Sequence, residues 1–152
     1  MNFTSKLIVF ALGQLQCGIA LEAVERVVRV VEITPLPGVL PMLLGVVNVQ
    51  GQVVPVVDIS QRFGFTLRPV TLSDQLLITK WNGRILALKV DTVCEVCDCP
   101  DNSHFSAESI MPNLPFIKGV VKSANGLILI QDLNQLVSAQ EYGIIQELVG
   151  QK

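Results

Sequence analysis

The chain has 152 residues, of which 50% are apolar and 16% are charged, and its formal net charge is −2. This length suits one domain of ordinary size or two very small ones, and the apolar fraction is enough for a sizeable core, which argues against disorder. Because no basic excess attracts phosphate groups, the composition also argues against a nucleic-acid-binding protein.

The hydropathy of the chain bears on where the protein acts. No run of about 18 apolar residues occurs, so we expect no direct membrane insertion. The apolar run 7–10 is too short for the core of a signal peptide, and no small-residue cleavage site follows it. We therefore expect a cytoplasmic protein.

The first half of the chain predicts five short strands, because runs of β-branched and other apolar residues alternate with turn residues. Turns are expected at Gly13-Gln14 and at Gln50-Gly51. The segment 34–38 ends a strand, since its prolines lack a backbone donor and restrict the residues before them. The five runs lie at 6–12, 16–21, 24–33, 45–49 and 52–57.

The second half repeats this pattern and adds a helix. Asn82-Gly83 is the strongest short hairpin signal in the chain, and Asn125-Gly126 is a second one. In the tail, Asp132 is a candidate N-cap, and apolar residues then recur at spacings of three and four, which predicts an amphipathic helix. The strand runs lie at 76–81, 84–90, 119–122 and 127–131, and the helical apolar positions are Leu136, Val137, Ala139, Tyr142, Ile145, Leu148 and Val149.

Two stretches of the chain repeat each other. The motif Gly45-Val46-Val47-Asn48, followed by an apolar run and Asp58, recurs 74 residues later as Gly119-Val120-Val121-Lys122, an apolar run and Asp132. Earlier apolar positions match at an offset of 69 residues. We predict an all-β fold made of two copies of a small closed barrel, a form that removes exposed sheet edges. Subdomain one is expected at about 7–64 plus the C-terminal tail, and subdomain two at about 76–138.

No constellation of residues predicts catalysis, so we expect neither an enzyme nor a bound cofactor. His104 is the only histidine, and its polar neighbours predict an exposed loop. No glycine-rich phosphate loop or dinucleotide fingerprint occurs. Asp58 and Asp132 hold equivalent positions at strand ends, where aspartate caps the following turn, so we interpret them as caps rather than as a paired-carboxylate site.

Three of the four cysteines, Cys94, Cys97 and Cys99, lie within six residues, and His104 follows them. Such clustering is unlike a disulfide framework and suits a reducing compartment. Four thiol or imidazole ligands are enough for a tetrahedral zinc site, so a metal- or redox-responsive binding module is an alternative function. Against it, Cys94 and Cys97 are an odd number of residues apart and would face opposite sides of a regular strand.

Several motifs, in order, make the chain resemble the CheW family of chemotaxis coupling proteins. Within the run 45–59, Asn48-Val49-Gln50-Gly51, Pro55 and Asp58 are similar to that family's Asn-Leu-Arg-Gly-x-x-x-Pro-x-x-Asp-Leu pattern. The resemblance covers nearly the whole chain. The other motifs that carry it are Leu7-Ile8-Val9-Phe10-x-Leu12-Gly13, Val24-Glu25-Arg26-Val27, Thr34-Pro35-Leu36-Pro37 and Val90-Asp91-x-Val93-x-Glu95-Val96.

The resemblance implies a fold and a function. The fold would be a single CheW-like domain over residues 1–152, with two five-stranded SH3-like β-barrels related by internal duplication and packed about a shared hydrophobic centre. The function would be that of a non-catalytic scaffold in signal transduction. Such an adaptor couples the cytoplasmic tip of a methyl-accepting chemotaxis receptor to the regulatory domain of a CheA-type histidine kinase, at membrane-associated receptor arrays.

By the same resemblance, the receptor-facing surface lies around the groove between the barrels, at Val24, Val27, Gly45, Asn48 and Gln50. The kinase-facing surface would lie mainly on the first barrel, without assigned residues. Gln50 departs from the family, which usually has arginine there, and glutamine offers a receptor carboxylate no fixed charge. Either the partner's surface differs as well, or the chain is a divergent paralogue in another chemosensory pathway, such as type IV pilus motility.

Overall fold

The computed structural model describes residues 4–30, 32–36, 40–65, 69–100, 104–106, 116–123 and 126–150, and within them the side chains at 4–5, 99–100, 104–106 and 123 are outside the description. The strands are β1 Thr4–Leu12, β2 Leu15–Ala20, β3 Val24–Arg29, β4 Leu43–Val49, β5 Gln52–Asp58, β6 Gln75–Trp81, β7 Arg84–Val90, β8 Thr92–Pro100, β9 His104–Ser106, β10 Ile117–Ser123 and β11 Gly126–Gln131. Two 3₁₀ helices, Leu21–Ala23 and Ile59–Phe63, and two α-helices, α1 Leu133–Leu136 and α2 Ala139–Gly150, complete the described part of the chain.

The strands form two sheets. The six-stranded sheet has the order β8-β1-β2-β11-β10-β9, and the five-stranded sheet has the order β3-β6-β7-β5-β4. Neighbouring strands are antiparallel except for the pairs β2–β11 and β5–β7, which are parallel. The predicted all-β class with two sheets and a C-terminal helix is confirmed, with the three-residue strand β9 as a sixth member of one sheet.

The two sheets have equivalent strand orders, because each strand of one sheet has its counterpart from the other repeat at the same place in the second sheet. The order β8-β1-β2-β11-β10 becomes β3-β6-β7-β5-β4 if each strand is replaced by its counterpart in the other repeat. The first hairpin of each half therefore lies in the sheet formed by the later strands of the other half. For this reason the expected subdomain ranges, 7–64 and 76–138, do not coincide with the sheets. The repeat identifies equivalent segments, but it does not say in which copy each segment pairs.

The predicted hairpin turns at Gln50-Gly51 and Asn82-Gly83 are present. Gln50 and Asn82 have φ angles of 51° and 49°, and the glycines that follow have φ angles of 84° and 75°. Two successive positive φ angles define a type I′ turn, whose twist matches that of the flanking strands. The turn at Gly13-Gln14 likewise joins β1 and β2, with a φ angle of 60° at Gly13.

Side chains on alternate strand positions belong to different apolar clusters. Leu7 and Val9 of β1 lie in a small cluster within the six-stranded sheet, whereas Ile8 and Phe10 lie in the largest cluster, to which both sheets contribute. In the five-stranded sheet, Leu77 joins that shared cluster while its neighbours Leu76 and Ile78 lie in a third one. The strands β1 and β6 are thus buried on both faces, which explains why they read as continuous apolar runs. The prediction that the two copies share apolar surface is confirmed.

The C-terminal tail forms two helices rather than the single helix that its apolar spacing predicts. The chain leaves the helical conformation between α1 and α2, where the Ser138 Oγ accepts a hydrogen bond from the Glu141 N–H (3.1 Å) and the Glu141 Oε1 accepts one from the Ser138 N–H (3.0 Å). This reciprocal pair is a capping box, which satisfies backbone donors and starts a new helix. The sequence signal was the Ser138-x-x-Glu141 spacing.

Helix α2 packs on the five-stranded sheet. Its Tyr142 and Ile145 side chains are buried, and the Tyr142 hydroxyl accepts a hydrogen bond from the Ile85 N–H (3.1 Å). Arg62 forms an ion pair with Glu141 and donates a hydrogen bond to the Leu136 carbonyl (3.1 Å). No helix among the described residues has the length and apolar character needed to cross a membrane.

Candidate functional site

The five expected receptor-facing residues all lie on the five-stranded sheet or at its turn. Val24 and Val27 belong to β3, Gly45 and Asn48 belong to β4, and Gln50 lies in the β4–β5 turn. The strands β3 and β4 occupy opposite ends of the strand order, so sheet curvature is needed to bring them together.

A small pocket joins these two edges. It has a volume of about 90 Å³, and its wall includes Glu25 and Arg26 from β3 and Gln50 and Gln52 from the β4–β5 hairpin. Sequence reasoning did not select Glu25 and Arg26, although they stand inside the Val24–Val27 motif. The signal that could have found them is a pair of opposite charges between the valines of β3. Arg26 and the uncharged Gln50 therefore line the same pocket.

The turn that carries Gln50 is held by its own side chains. The Asn48 Oδ1 accepts a hydrogen bond from the Gly51 N–H at 2.8 Å, which closes the turn across the hairpin. Asn48 and Gln50 are both exposed. The hairpin thus offers Gln50 to solvent in a defined position, while Asn48 has a structural role in addition to any contact that it makes.

Gly45, in contrast, is buried and has a structural role. Its φ angle is 153°, and a Cβ atom at this position would overlap the Thr34 carbonyl oxygen and lie 2.9 Å from the Pro35 Cα. The close approach lets Thr34 pair with Val46 through two backbone hydrogen bonds of 2.8 and 2.9 Å. Gly45 therefore seats the Thr34–Pro35 segment against β4. A partner could sense Gly45 only through the backbone that it positions.

The structure places the cysteine cluster on one strand and His104 on another. Cys94, Cys97 and Cys99 lie on β8, and His104 lies on β9 at the other end of the six-stranded sheet. The predicted loop around His104 is replaced by this short strand, which pairs with β10. Cys94 is exposed and Cys97 is half-buried. The register between β1 and β8 shifts at Cys94, because Val9 pairs with Glu95 and Phe10 pairs with Val93.

Neither metal binding nor thiol chemistry gains support at this strand. Among the side chains that the structure describes, which do not include those of Cys99 and His104, no group of three or more histidine, cysteine, aspartate or glutamate residues is placed to hold a metal ion. Burial, followed by the negative charges of Glu95 and Asp98, raises the pKa of the Cys97 thiol. A raised pKa lowers the fraction of reactive thiolate at neutral pH.

The predicted capping roles of Asp58 and Asp132 are confirmed. The Asp58 Oδ1 accepts a hydrogen bond from the Ser60 N–H (3.0 Å), and the Asp132 Oδ1 accepts one from the Asn134 N–H (3.0 Å). Asp58 has a further partner that sequence reasoning missed, since its Oδ2 lies 3.6 Å from the Nζ of the buried Lys89. The available signal was a single lysine inside the apolar run of β7.

Most of the chain is similar in sequence to known proteins. The family model described as a CheW-like domain matches residues 6–141. The chemotaxis protein CheW of Rhizobium meliloti is 25% identical over 142 residues, which are 92% of this chain and 92% of that protein. The chemotaxis protein CheW of Bacillus subtilis is 26% identical over 137 residues, which are 89% of this chain and 88% of that protein.

A solved structure agrees with these relatives. The crystal structure of the scaffolding protein TtCheW from Thermoanaerobacter tengcongensis superimposes with a TM-score of 0.81 at 28% sequence identity, and the match covers 91% of this chain and 96% of that chain. The named relatives are chemotaxis and scaffolding proteins, which supports a non-catalytic adaptor over an enzyme and over the metal- or redox-responsive alternative. By its family match and its two-sheet architecture, the chain belongs to the CheW-like domain family.

Proposed function

We propose that this protein couples the cytoplasmic tip of a chemoreceptor to the regulatory domain of a CheA-type histidine kinase, within membrane-associated receptor arrays. The observation that carries this proposal is the CheW-like match over residues 6–141, because it includes both sheets and their connections. An adaptor needs two surfaces for two partners, and a match confined to one hairpin would support only one of them.

The architecture suits an adaptor because it is stiff. The largest apolar cluster takes side chains from both sheets and from helix α2, so the sheets cannot move apart without exposing it. Each fully buried leucine, isoleucine or phenylalanine stabilises such a core by about 1.5–3 kcal/mol. Two partners bound to separate surfaces of one stiff body are held at a fixed distance and at a raised effective concentration.

For kinase control, the adaptor's contacts must differ between the active and inactive states of the kinase, since a ligand with equal affinity for both states shifts neither. The chain itself supplies no reaction in this scheme. Its contribution is binding free energy and geometry.

We place the receptor contact on the surface of Val24, Val27, Asn48 and Gln50, with Gly45 acting through the backbone that it seats. Support comes from the pocket that joins β3 to the β4–β5 hairpin and from the exposure of Gln50 at a fixed turn. Glu25 and Arg26 line the same pocket, so this surface carries charged residues of β3 as well as Gln50.

The test compares two arginine variants in equivalent turns. Gln50 and Asn82 each hold the first central position of a type I′ turn and are exposed. Gln50→Arg should leave the free energy of unfolding within about 0.5 kcal/mol of the parent protein, as is usual for surface changes. Asn82→Arg also removes the hydrogen bond that the Asn82 Nδ2 donates to the Asn134 Oδ1 (3.3 Å), so it should cost more stability than Gln50→Arg while remaining folded. Only Gln50→Arg should change the affinity for a receptor cytoplasmic fragment, measured by titration calorimetry.

Two outcomes decide the proposal. If the parent protein binds neither a receptor fragment nor a CheA-type regulatory domain from its own organism, the adaptor function is wrong. If both partners bind but Gln50→Arg and Asn82→Arg behave alike, the function stands and the placement of the receptor surface is wrong.

A further inference from the structure

The strand β3, at one end of the five-stranded sheet, carries a β-bulge. The register between β3 and β6 shifts between Val24 and Arg26, so Glu25 has no counterpart on β6. Neighbouring residues of a regular strand face opposite sides of the sheet, whereas at a bulge two residues of one strand oppose a single residue of the other. The bulge therefore explains how the adjacent residues Glu25 and Arg26 both line the pocket beside the β4–β5 hairpin.

The polar side chains of this pocket are accessible and unengaged. Glu25, Gln50 and Gln52 are exposed, and Arg26 is half-buried. Among the described residues, these four side chains have no hydrogen-bond or ion-pair partner. Arg62, which is also half-buried, donates instead to a backbone carbonyl and to a carboxylate of the same chain. The pocket thus keeps its donors and acceptors available for a group from outside.

The charged pair in the pocket wall has no net charge but offers one group of each sign. The Glu25 carboxylate only accepts hydrogen bonds and the Arg26 guanidinium only donates them. An anion in the pocket would be repelled by Glu25, and a cation would be repelled by Arg26. A primary amide suits both groups, because its oxygen accepts from Arg26 while its NH₂ group donates to Glu25.

The size of the pocket limits the group that enters it. Its volume of about 90 Å³ is well below the roughly 300–1,000 Å³ of a small-molecule site, and below the roughly 150 Å³ of an apolar cavity that holds benzene. Val54 and Ile78, two further residues of its wall, are buried and apolar, and apolar surroundings strengthen hydrogen bonds to the charged pair. The pocket therefore suits the head group of one polar side chain.

We propose that this pocket binds the side-chain amide of an asparagine or glutamine of a partner protein, with Glu25 accepting a hydrogen bond from the amide and Arg26 donating one to it. Gln50 and Gln52 supply further donors and acceptors from the hairpin side of the pocket. Under the proposed function, on which this assignment of the partner rests, the amide belongs to the chemoreceptor tip, because the pocket is continuous with the surface that Gln50 presents.

The first test uses small probes and needs no partner protein. Amide resonances of the intact chain are followed by NMR during separate titrations with propionamide, propionate and propylammonium, which are similar in size and differ in charge. Propionamide should cause saturable shifts at the amides of Glu25, Arg26 and Gln52, and the two charged probes should bind at least about tenfold more weakly. Equal binding of the three probes, or no saturable shift with propionamide, would overturn the proposal.

Variants that remove one charge test the roles of the two β3 residues. Glu25→Gln leaves only the cation of the pair, so propionate should then bind better than propionamide. Arg26→Gln leaves only the anion, so propylammonium should then bind best. Glu22→Gln and Arg29→Gln are matched controls, because both residues are exposed nearby but lie outside the pocket wall, and they should keep the preference of the parent protein. A preference for propionamide that survives both Glu25→Gln and Arg26→Gln would refute these roles.

The second test measures binding of a receptor cytoplasmic fragment by titration calorimetry. Glu25→Gln and Arg26→Gln should each weaken this binding about tenfold, as expected for a lost hydrogen bond to a charged group, and Glu22→Gln and Arg29→Gln should leave it unchanged. If the receptor fragment binds all four variants like the parent protein, the amide does not belong to the receptor, and the adaptor function stands. If the parent protein binds neither the receptor fragment nor the kinase domain, the proposed function fails, and the probe titrations still decide whether the pocket takes an amide.

Discussion

Replacing Gly45 by alanine should destabilise the protein strongly, although the substitution adds a single methyl group. The new Cβ would overlap the Thr34 carbonyl oxygen and lie 2.8 Å from the Thr34 carbonyl carbon, and both atoms are backbone atoms that cannot rotate away. The Thr34–Pro35 segment would have to leave β4, with loss of the two hydrogen bonds between Thr34 and Val46.

The cost can be worked out from these two effects. Each lost backbone hydrogen bond costs about 1 kcal/mol. Holding alanine at a φ angle near that of Gly45 costs about 1–3 kcal/mol more. The free energy of unfolding should therefore fall by about 3–5 kcal/mol. This is a large share of the roughly 5–15 kcal/mol that is typical of a folded domain.

Urea unfolding, followed by the fluorescence of Trp81 and by circular dichroism, measures the effect. Gly51→Ala is the matched control, because Gly51 also has a positive φ angle, 84°, but no atom lies within 4 Å of its added Cβ. It should lose only the conformational part, about 1 kcal/mol. Equal destabilisation of Gly45→Ala and Gly51→Ala would refute the close-approach argument. A Gly45→Ala protein that keeps its stability but loses receptor binding would instead assign Gly45 a direct contact.

Two further predictions concern titratable groups. Partial burial acts to raise the pKa of Glu141, but hydrogen bonds from Ser138 and Arg62 and the charge of Arg62 lower it overall below its ordinary value of 4.5. A lowered pKa in the folded state means that this pair stabilises the protein above pH 4.5 and that the stabilisation is lost as the pH falls through the folded-state pKa. Arg62→Met should therefore lose stability at neutral pH and show a shallower loss on acidification, measured by urea unfolding across this range; an unchanged pH profile would contradict the pairing. Burial raises the pKa of the Cys17 thiol to about 12, so iodoacetamide at neutral pH should modify Cys94 in the native protein and Cys17 only after unfolding, as read by peptide mass spectrometry. Modification of Cys17 at the same rate as Cys94 in the native protein would show that β2 opens readily.

The sequence by itself determined the local structure of this protein. Strand periodicity and turn chemistry act over a few residues, so the hairpins at Gln50-Gly51 and Asn82-Gly83 and the caps at Asp58 and Asp132 could all be predicted. The repeat likewise showed which segments are equivalent. The break before α2 was also encoded locally, in the Ser138-x-x-Glu141 spacing, but the continuous apolar spacing concealed it.

Only the tertiary structure decided which equivalent strands pair. Both sheets have the same strand order and the same parallel contact. A hairpin such as β6–β7 therefore satisfies its local signals equally well in either sheet. Packing across the whole molecule decides which sheet the hairpin joins. The same holds for two groups of side chains. Arg26 and Gln50 line one pocket, and the Lys89 Nζ lies 3.6 Å from the Asp58 Oδ2 and 3.8 Å from the Asp74 Oδ2, because the tertiary structure brings their strands together. These groups are far apart in the chain, so no periodicity along the sequence records that they are neighbours.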